Sequence, residues 1–187
     1  MSDKRAIIRR ERKKMEKAKK NRSPDGELQR LQVQGMIDGR IIAASVVLEI
    51  LHDKYGFRQK RAERLLNCIS DQSAKFEQIA TKFTVEWYAN RMIDRINETP
   101  VKTVVRSAKE HIYIVARDEF FVTACAVMFL ALNDEFGFSS NAKGTGRTDF
   151  VMHWCINRYI EIQLDPDNKT AQYYYDRMKR KTGFNIE

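Results

Sequence analysis

Apolar residues along this chain recur at the three- and four-residue spacing of amphipathic helices, and one short pattern is used twice. Leu51-His52-Asp53-Lys54-Tyr55-Gly56-Phe57 returns 81 residues later as Leu132-Asn133-Asp134-Glu135-Phe136-Gly137-Phe138. Each copy closes an apolar run, Ile41 to Leu51 in the first and Phe120 to Leu132 in the second. Each leads into a second helical pattern carrying Cys-Ile, at Cys68-Ile69 and Cys155-Ile156; the offset there is 87, so the second copy has about six extra loop residues. The pattern predicts an all-α fold: duplicated helix–turn–helix units, at about 40–97 and 117–163, packed as one helical domain over 27–187.

The turns follow from glycine. A helix commonly ends with a glycine in the left-handed conformation, and the next residue packs back on the last turn. Gly56 would set Phe57 over Leu51, Gly137 would set Phe138 over Leu132, and Gly183 would set Phe184 over Met178. Gly56, Phe57, Gly137 and Phe138 are therefore read as structural turn residues.

Other elements are less sharply marked. Ser23-Pro24-Asp25-Gly26 reads as a turn and a boundary. Residues 27–38 look helical, with Leu28, Leu31 and Val33 as anchors, weakened by Gly35 and Gly39. A separate helix runs from about Arg40 to Tyr55 with Ala43, Val47, Ile50 and Leu51 on one face. After the first turn, Leu65, Leu66, Ile69, Phe76, Ile79, Ala80 and Phe83 continue the pattern, and Asp71-Gln72-Ser73 could interrupt it. Thr84 is the expected N-cap of a helix from Val85 to Ile96. Residues 101–115 carry both alternating and β-branched signals; we read them as helix, with a short strand as the alternative. A buried central helix is expected from about Arg117. Thr148 or Asp149 should cap the next, whose apolar stripe is Val151, Trp154, Cys155, Tyr159 and Ile162. A last helix is expected over about Thr170 to Lys181, its closing cations complementing the helix dipole.

Composition narrows the class. Only 8 glycines and 3 prolines in 187 residues argue against an all-β chain, and 43% hydrophobic residues suffice for one core. No apolar segment is long enough for a bilayer, and there is no signal peptide, so no membrane partner is expected. Three scattered cysteines inside helical patterns suit a reducing cytoplasm.

Charge changes the picture most. Residues 1–22 hold eleven Lys or Arg against three acids, a net of +8, while the whole chain is +9. The chain is thus a near-neutral globule with a basic N-terminal arm. Arg9, Arg10, Arg12, Lys13, Lys14 and Lys17 give that arm long-range, salt-sensitive attraction to phosphates; without an interleaved aromatic to stack bases, such binding would be sequence-blind. The turns are basic too: Arg58, Lys60 and Arg61 follow the first, and Lys143 and Arg147 flank the glycines of the second, before a helix N-terminus where backbone amides could receive an anion. The competing readings are a solubilising tail and a flexible loop tip. Asp53 and Asp134 oppose the dipoles of their helices, so local cations are expected beside them: Lys60 or Arg61 for the first and Arg147 for the second. No nucleophile–base pair or metal-ligand spacing is legible: His153 and Cys155 point to different helix faces. The expectation is a protein that is not an enzyme, with no cofactor and no metal.

Residues 28–66, with Gln34-Gly35, Leu51 to Phe57 and Lys60-Arg61, resemble small proteins carried by phages and prophages of Gram-positive bacteria, departing from their pattern at Arg58 and Ala62. The resemblance implies a mobile-element accessory protein in the bacterial cytoplasm. Such genes often encode small inhibitors of host defence, including type II anti-CRISPR proteins. Two partner classes follow: DNA or RNA bound directly without sequence preference, as in phage replication or regulation, or an RNA-guided nuclease complex. Self-association into a homodimer is left open.

Overall fold

The computed structural model describes residues 24–72, 84–99, 107–141, 143–165 and 169–185. Within these the chain forms six helices: α1 (Pro24–Tyr55), α2 (Gln59–Gln72), α3 (Val85–Asn97), α4 (Ala108–Phe136), α5 (Arg147–Leu164) and α6 (Ala171–Thr182). No strand occurs among the described residues.

The fold is built on α1 and α4, which run parallel. The Lys109 ammonium meets the Glu27 carboxylate at 2.8 Å, the Tyr113 hydroxyl donates to Asp38 at 2.7 Å, and the Tyr55 and Phe138 rings lie 4.8 Å apart. Partners advance together along both helices. The expected break between residues 38 and 40 is absent, and Pro24-Asp25-Gly26 lies inside α1 rather than in a turn. Proline suits a helix start, where its missing N–H costs nothing. Gly35 and Gly39 are in the helix for packing: a Cβ on Gly35 would strike the Tyr113 carbonyl, and one on Gly39 the Arg117 carbonyl. The propensity cost of each, about 1 kcal/mol, is offset by backbone-to-backbone approach. Val33, read as an anchor, is 51% exposed.

The lower halves of the pair form the core. Ile42, Ala43, Val47, Leu48 and Leu51 of α1 and Phe121, Cys125, Phe129 and Leu132 of α4 are buried. The central helix begins at Ala108, capped by the Ser107 side chain, so residues 108–115 are helical and 101–106 lie outside the described residues. Thr84 caps α3 as expected, accepting from Trp87 N at 3.1 Å. The stretch from Phe76 to Phe83 is likewise not described.

All three glycine stops have positive φ, 63° at Gly56, 63° at Gly137 and 76° at Gly183, and Phe57, Phe138 and Phe184 are buried. Phe57 N donates to the Leu51 carbonyl and Phe138 N to that of Leu132, both at 3.1 Å.

Beyond each turn the helices cross over. α2 packs on α4 and α5 on α1; α3 packs on α4 and α6 on α1. α2 and α3 therefore cover α4, and α5 and α6 cover α1, while α1 and α2 scarcely touch.

Candidate nucleic-acid interface

The crossover brings the two Gly-Phe turns together at one end of the α1–α4 pair. Phe57 lies 5.1 Å from Phe136 and 6.1 Å from Phe138, ring centre to ring centre. Tyr55–Phe138 and Phe57–Phe136 are the same pair with the units exchanged, since each contact joins a residue before one turn to the Phe after the other. Guanidinium groups lie over these rings: Arg61 over Phe57 at 5.7 Å, Arg64 over Phe136 at 5.2 Å and Arg147 over Phe138 at 5.9 Å. Arg64 also pairs with Glu135 at 3.0 Å. Arg58, Lys60, Arg61 and Arg147 are exposed, and among the described residues none has an acidic partner. The structure thus brings Arg61 and Arg147, from separate units, to one basic end.

The expected partners of the two aspartates do not hold. Asp53 meets Lys181 and His52 instead of Lys60 or Arg61. Burial alone would raise its pKa, but the hydrogen bonds from Lys181 and His52 prevail and hold it below the usual carboxylate value. Lys181 is in turn held above the ordinary lysine value, first by its bond to Asp53. Asp134 takes Asn133 rather than Arg147, and burial raises its pKa. The basic close of α6 is therefore more than a complement to the dipole. Lys181 also meets buried Glu49 at 3.0 Å, beside Arg177 at 3.0 Å and Arg158 at 3.9 Å. Glu49, Arg158 and Arg177 border a cleft of about 240 Å³ between α1, α5 and α6, lined also by Glu161, Asp165 and Lys169.

The glycine loop of the second unit is not an anion cradle. Gly146, not Thr148 or Asp149, is the N-cap of α5. Asp149, fully buried, accepts from Gly146 N at 2.9 Å, Asn141 N at 3.1 Å and the Ser140 hydroxyl at 2.9 Å, with Arg91 3.3 Å away. The protein's own carboxylate occupies the place a phosphate would take. Arg91 also donates to the Asn141 carbonyl at 2.9 Å, and the Thr148 hydroxyl to that of Phe138 at 2.8 Å. The loop is pinned, and Lys143 stands exposed on it, apart from the ring cluster's contacts.

Arg9, Arg10, Arg12, Lys13, Lys14 and Lys17 lie outside the described residues, but α1 shows where the arm joins. Its 32 residues span roughly 48 Å at 1.5 Å per residue, and the arm precedes the end opposite the basic turns. Sequence reasoning missed two exposed rings. Trp154, placed in the apolar stripe of α5, is 43% exposed, and Phe150 one turn earlier is 51% exposed. The signal was present: Phe150 and Trp154 share a face with Asn157 and Glu161, whereas Val151, Cys155 and Ile162 make the buried one.

Among the described residues no group of three or more His, Cys, Asp or Glu side chains could hold a metal, and no helix is long and apolar enough to cross a membrane. No family model matches the chain, and no curated protein or solved structure matches it either.

Proposed function

We propose that this is a non-enzymatic, nucleic-acid-associated accessory protein whose arm and basic end contact the phosphate backbone. The observation that carries this reading is the convergence of Arg58, Lys60, Arg61 and Arg147 at the meeting of the two turns, with Arg61 and Arg147 laid over aromatic rings. Stacking on a ring fixes a guanidinium with little loss of hydration, leaving its donors for phosphate. The arm supplies the larger charge, +8 over residues 1–22.

The test is binding of labelled DNA and RNA to the full chain over a salt series. Deleting residues 1–22 should weaken binding greatly, and Arg61→Glu with Arg147→Glu should weaken it further, each lost phosphate contact lowering the log–log salt slope by about 0.9 on duplex DNA. No affinity for either nucleic acid at low salt would refute direct binding. The resemblance noted for residues 28–66 suggests a second target, an RNA-guided nuclease complex, approached as an inhibitor; capture of such a complex without affinity for free nucleic acid would favour it.

A further inference from the structure

Arg147, Phe150 and Trp154 sit at i, i+3 and i+7 on α5, which places them in one stripe on one helix face. Both rings are exposed, and the Lys54 ammonium, from the end of α1, lies 4.5 Å from the centre of the Trp154 ring. The stripe starts at the basic end, because Arg147 belongs to the ring cluster of the two turns. Two partly exposed rings interleaved with cations are the arrangement that the arm lacks.

The duplication supplies an internal control. With the offset of 87 that aligns the second helices, Arg147, Phe150 and Trp154 correspond to Lys60, Glu63 and Asn67 of α2. Those three are exposed as well. The cation is kept in both units, but the rings appear only in the second. The first unit therefore does without rings at these positions, and in the second about half of each ring is left open to solvent. An exposed pair of large aromatics costs solubility, and a ligand with flat faces and negative charge would use both features.

We infer that the Arg147–Phe150–Trp154 stripe, with Lys54, is a stacking surface for single-stranded nucleic acid. The inference rests on the proposed nucleic-acid reading and narrows it from any polyanion to unpaired strands. Bases of a duplex are stacked on each other and present no face, whereas those of a single strand lie open to aromatic rings. Arg147 and Lys54 neutralise the adjoining phosphates. Because every base has such a face, the surface is tolerant of sequence.

The experiment compares an oligo-dT with a duplex of equal length, using the full chain and its Phe150→Ala/Trp154→Ala variant. About half of each ring is covered, so the variant should melt somewhat below the parent yet stay folded at the assay temperature. Single-strand affinity should fall about fivefold to a hundredfold per ring, while duplex affinity, held by the arm, stays as it was. Trp154→Phe should keep most of the single-strand affinity. In a Trp87→Phe background, where Trp154 is the remaining tryptophan, its emission should be quenched when oligo-dT binds. Equal affinities of parent and double variant for oligo-dT, equal losses on both nucleic acids, or binding without quenching would overturn the inference and leave the proposed function standing. If the full chain binds neither at low salt, the proposed function fails and this surface with it. A dimer of the full chain that the double variant cannot form would also overturn it, assigning the stripe to self-association.

Discussion

Glycine does two different jobs in this chain, and the same substitution separates them. At Gly39 an added Cβ would meet the Arg117 carbonyl and the Phe121 amide, both backbone, so α1 and α4 would have to part. Gly39→Ala should cost about 1–3 kcal/mol, net of the better helix propensity of alanine. At Gly56 nothing lies near the added Cβ, but φ is +63°. Gly56→Ala should cost about 1–2 kcal/mol through backbone strain alone. Denaturant unfolding of both variants checks the pair. The cysteines also divide. Cys125 is fully buried beside Cys155, and desolvation first, then that neighbour, pushes its thiol well above the ordinary value. Cys68 is half-buried at the end of α2. In the folded protein a thiol reagent should label Cys68, with Cys125 and Cys155 reacting only on unfolding; mass spectrometry after a timed reaction reads this. Asp53 gives the pH dependence. Its folded pKa lies below the ordinary 3.8, so its contribution is complete above that value and is lost as pH falls through the folded one. Melting temperatures of the parent and of Asp53→Asn should converge as pH falls below about 4.

At the scale of elements, α1 and α4 share the role that the sequence assigns to one central helix. Both are buried in their C-terminal halves. Phe129→Ala should cost roughly 2–5 kcal/mol. Glu49→Gln, which removes the charge that Arg177 and Lys181 hold between α1 and α6, should cost less, about 1–3 kcal/mol; a denaturant titration of the two variants gives the order. The Gly-Phe stops, the Thr84 cap and the all-helical class were legible because each is a local signal, carried within a few residues by conformational preference. The unbroken α1 was not. Gly35 and Gly39 lower helix propensity wherever they stand, and only the presence of α4 turns them into an asset. The partners of Asp53 were missed for a related reason. Lys60 and Arg61 are near in sequence, whereas Lys181 arrives from a helix 128 residues away, by a crossover that nothing in the periodicity announces. Asp149 shows the same limit at the candidate site. Its spacing suggested a helix cap, but that it fills the glycine loop depends on Ser140, Asn141, Gly146 and Arg91 meeting around it.

At the scale of the molecule, charge and stability are carried by different parts. The described helices contain the core, and residues 1–22 contain nearly all the net charge with only Met1, Ile7, Ile8 and Met15 as larger apolar residues. Removing the arm should leave the melting temperature nearly unchanged while greatly reducing any nucleic-acid affinity; calorimetry and a salt titration on the same truncated protein measure the two. The packing of α2 on α4 and of α5 on α1 was not legible at this scale, because a repeat in sequence says which stretches are alike and is silent about which helices touch.

That packing has a consequence in time. Helical bundles usually fold fast because their contacts are local, and the rate falls as the mean sequence separation of contacts grows. Here α1 waits for α4, α5 and α6, and its nearest neighbour in sequence gives it almost nothing to pack on. During synthesis the apolar face from Ile42 to Leu51 is made early, and its cover is completed only when residues 171–182 follow. Refolding should therefore be slow for an all-helical protein of this size, with a single slow phase in which α1 and α6 become protected from hydrogen exchange together. The nascent first half, carrying the basic arm and an uncovered core face, would be the stage most exposed to aggregation.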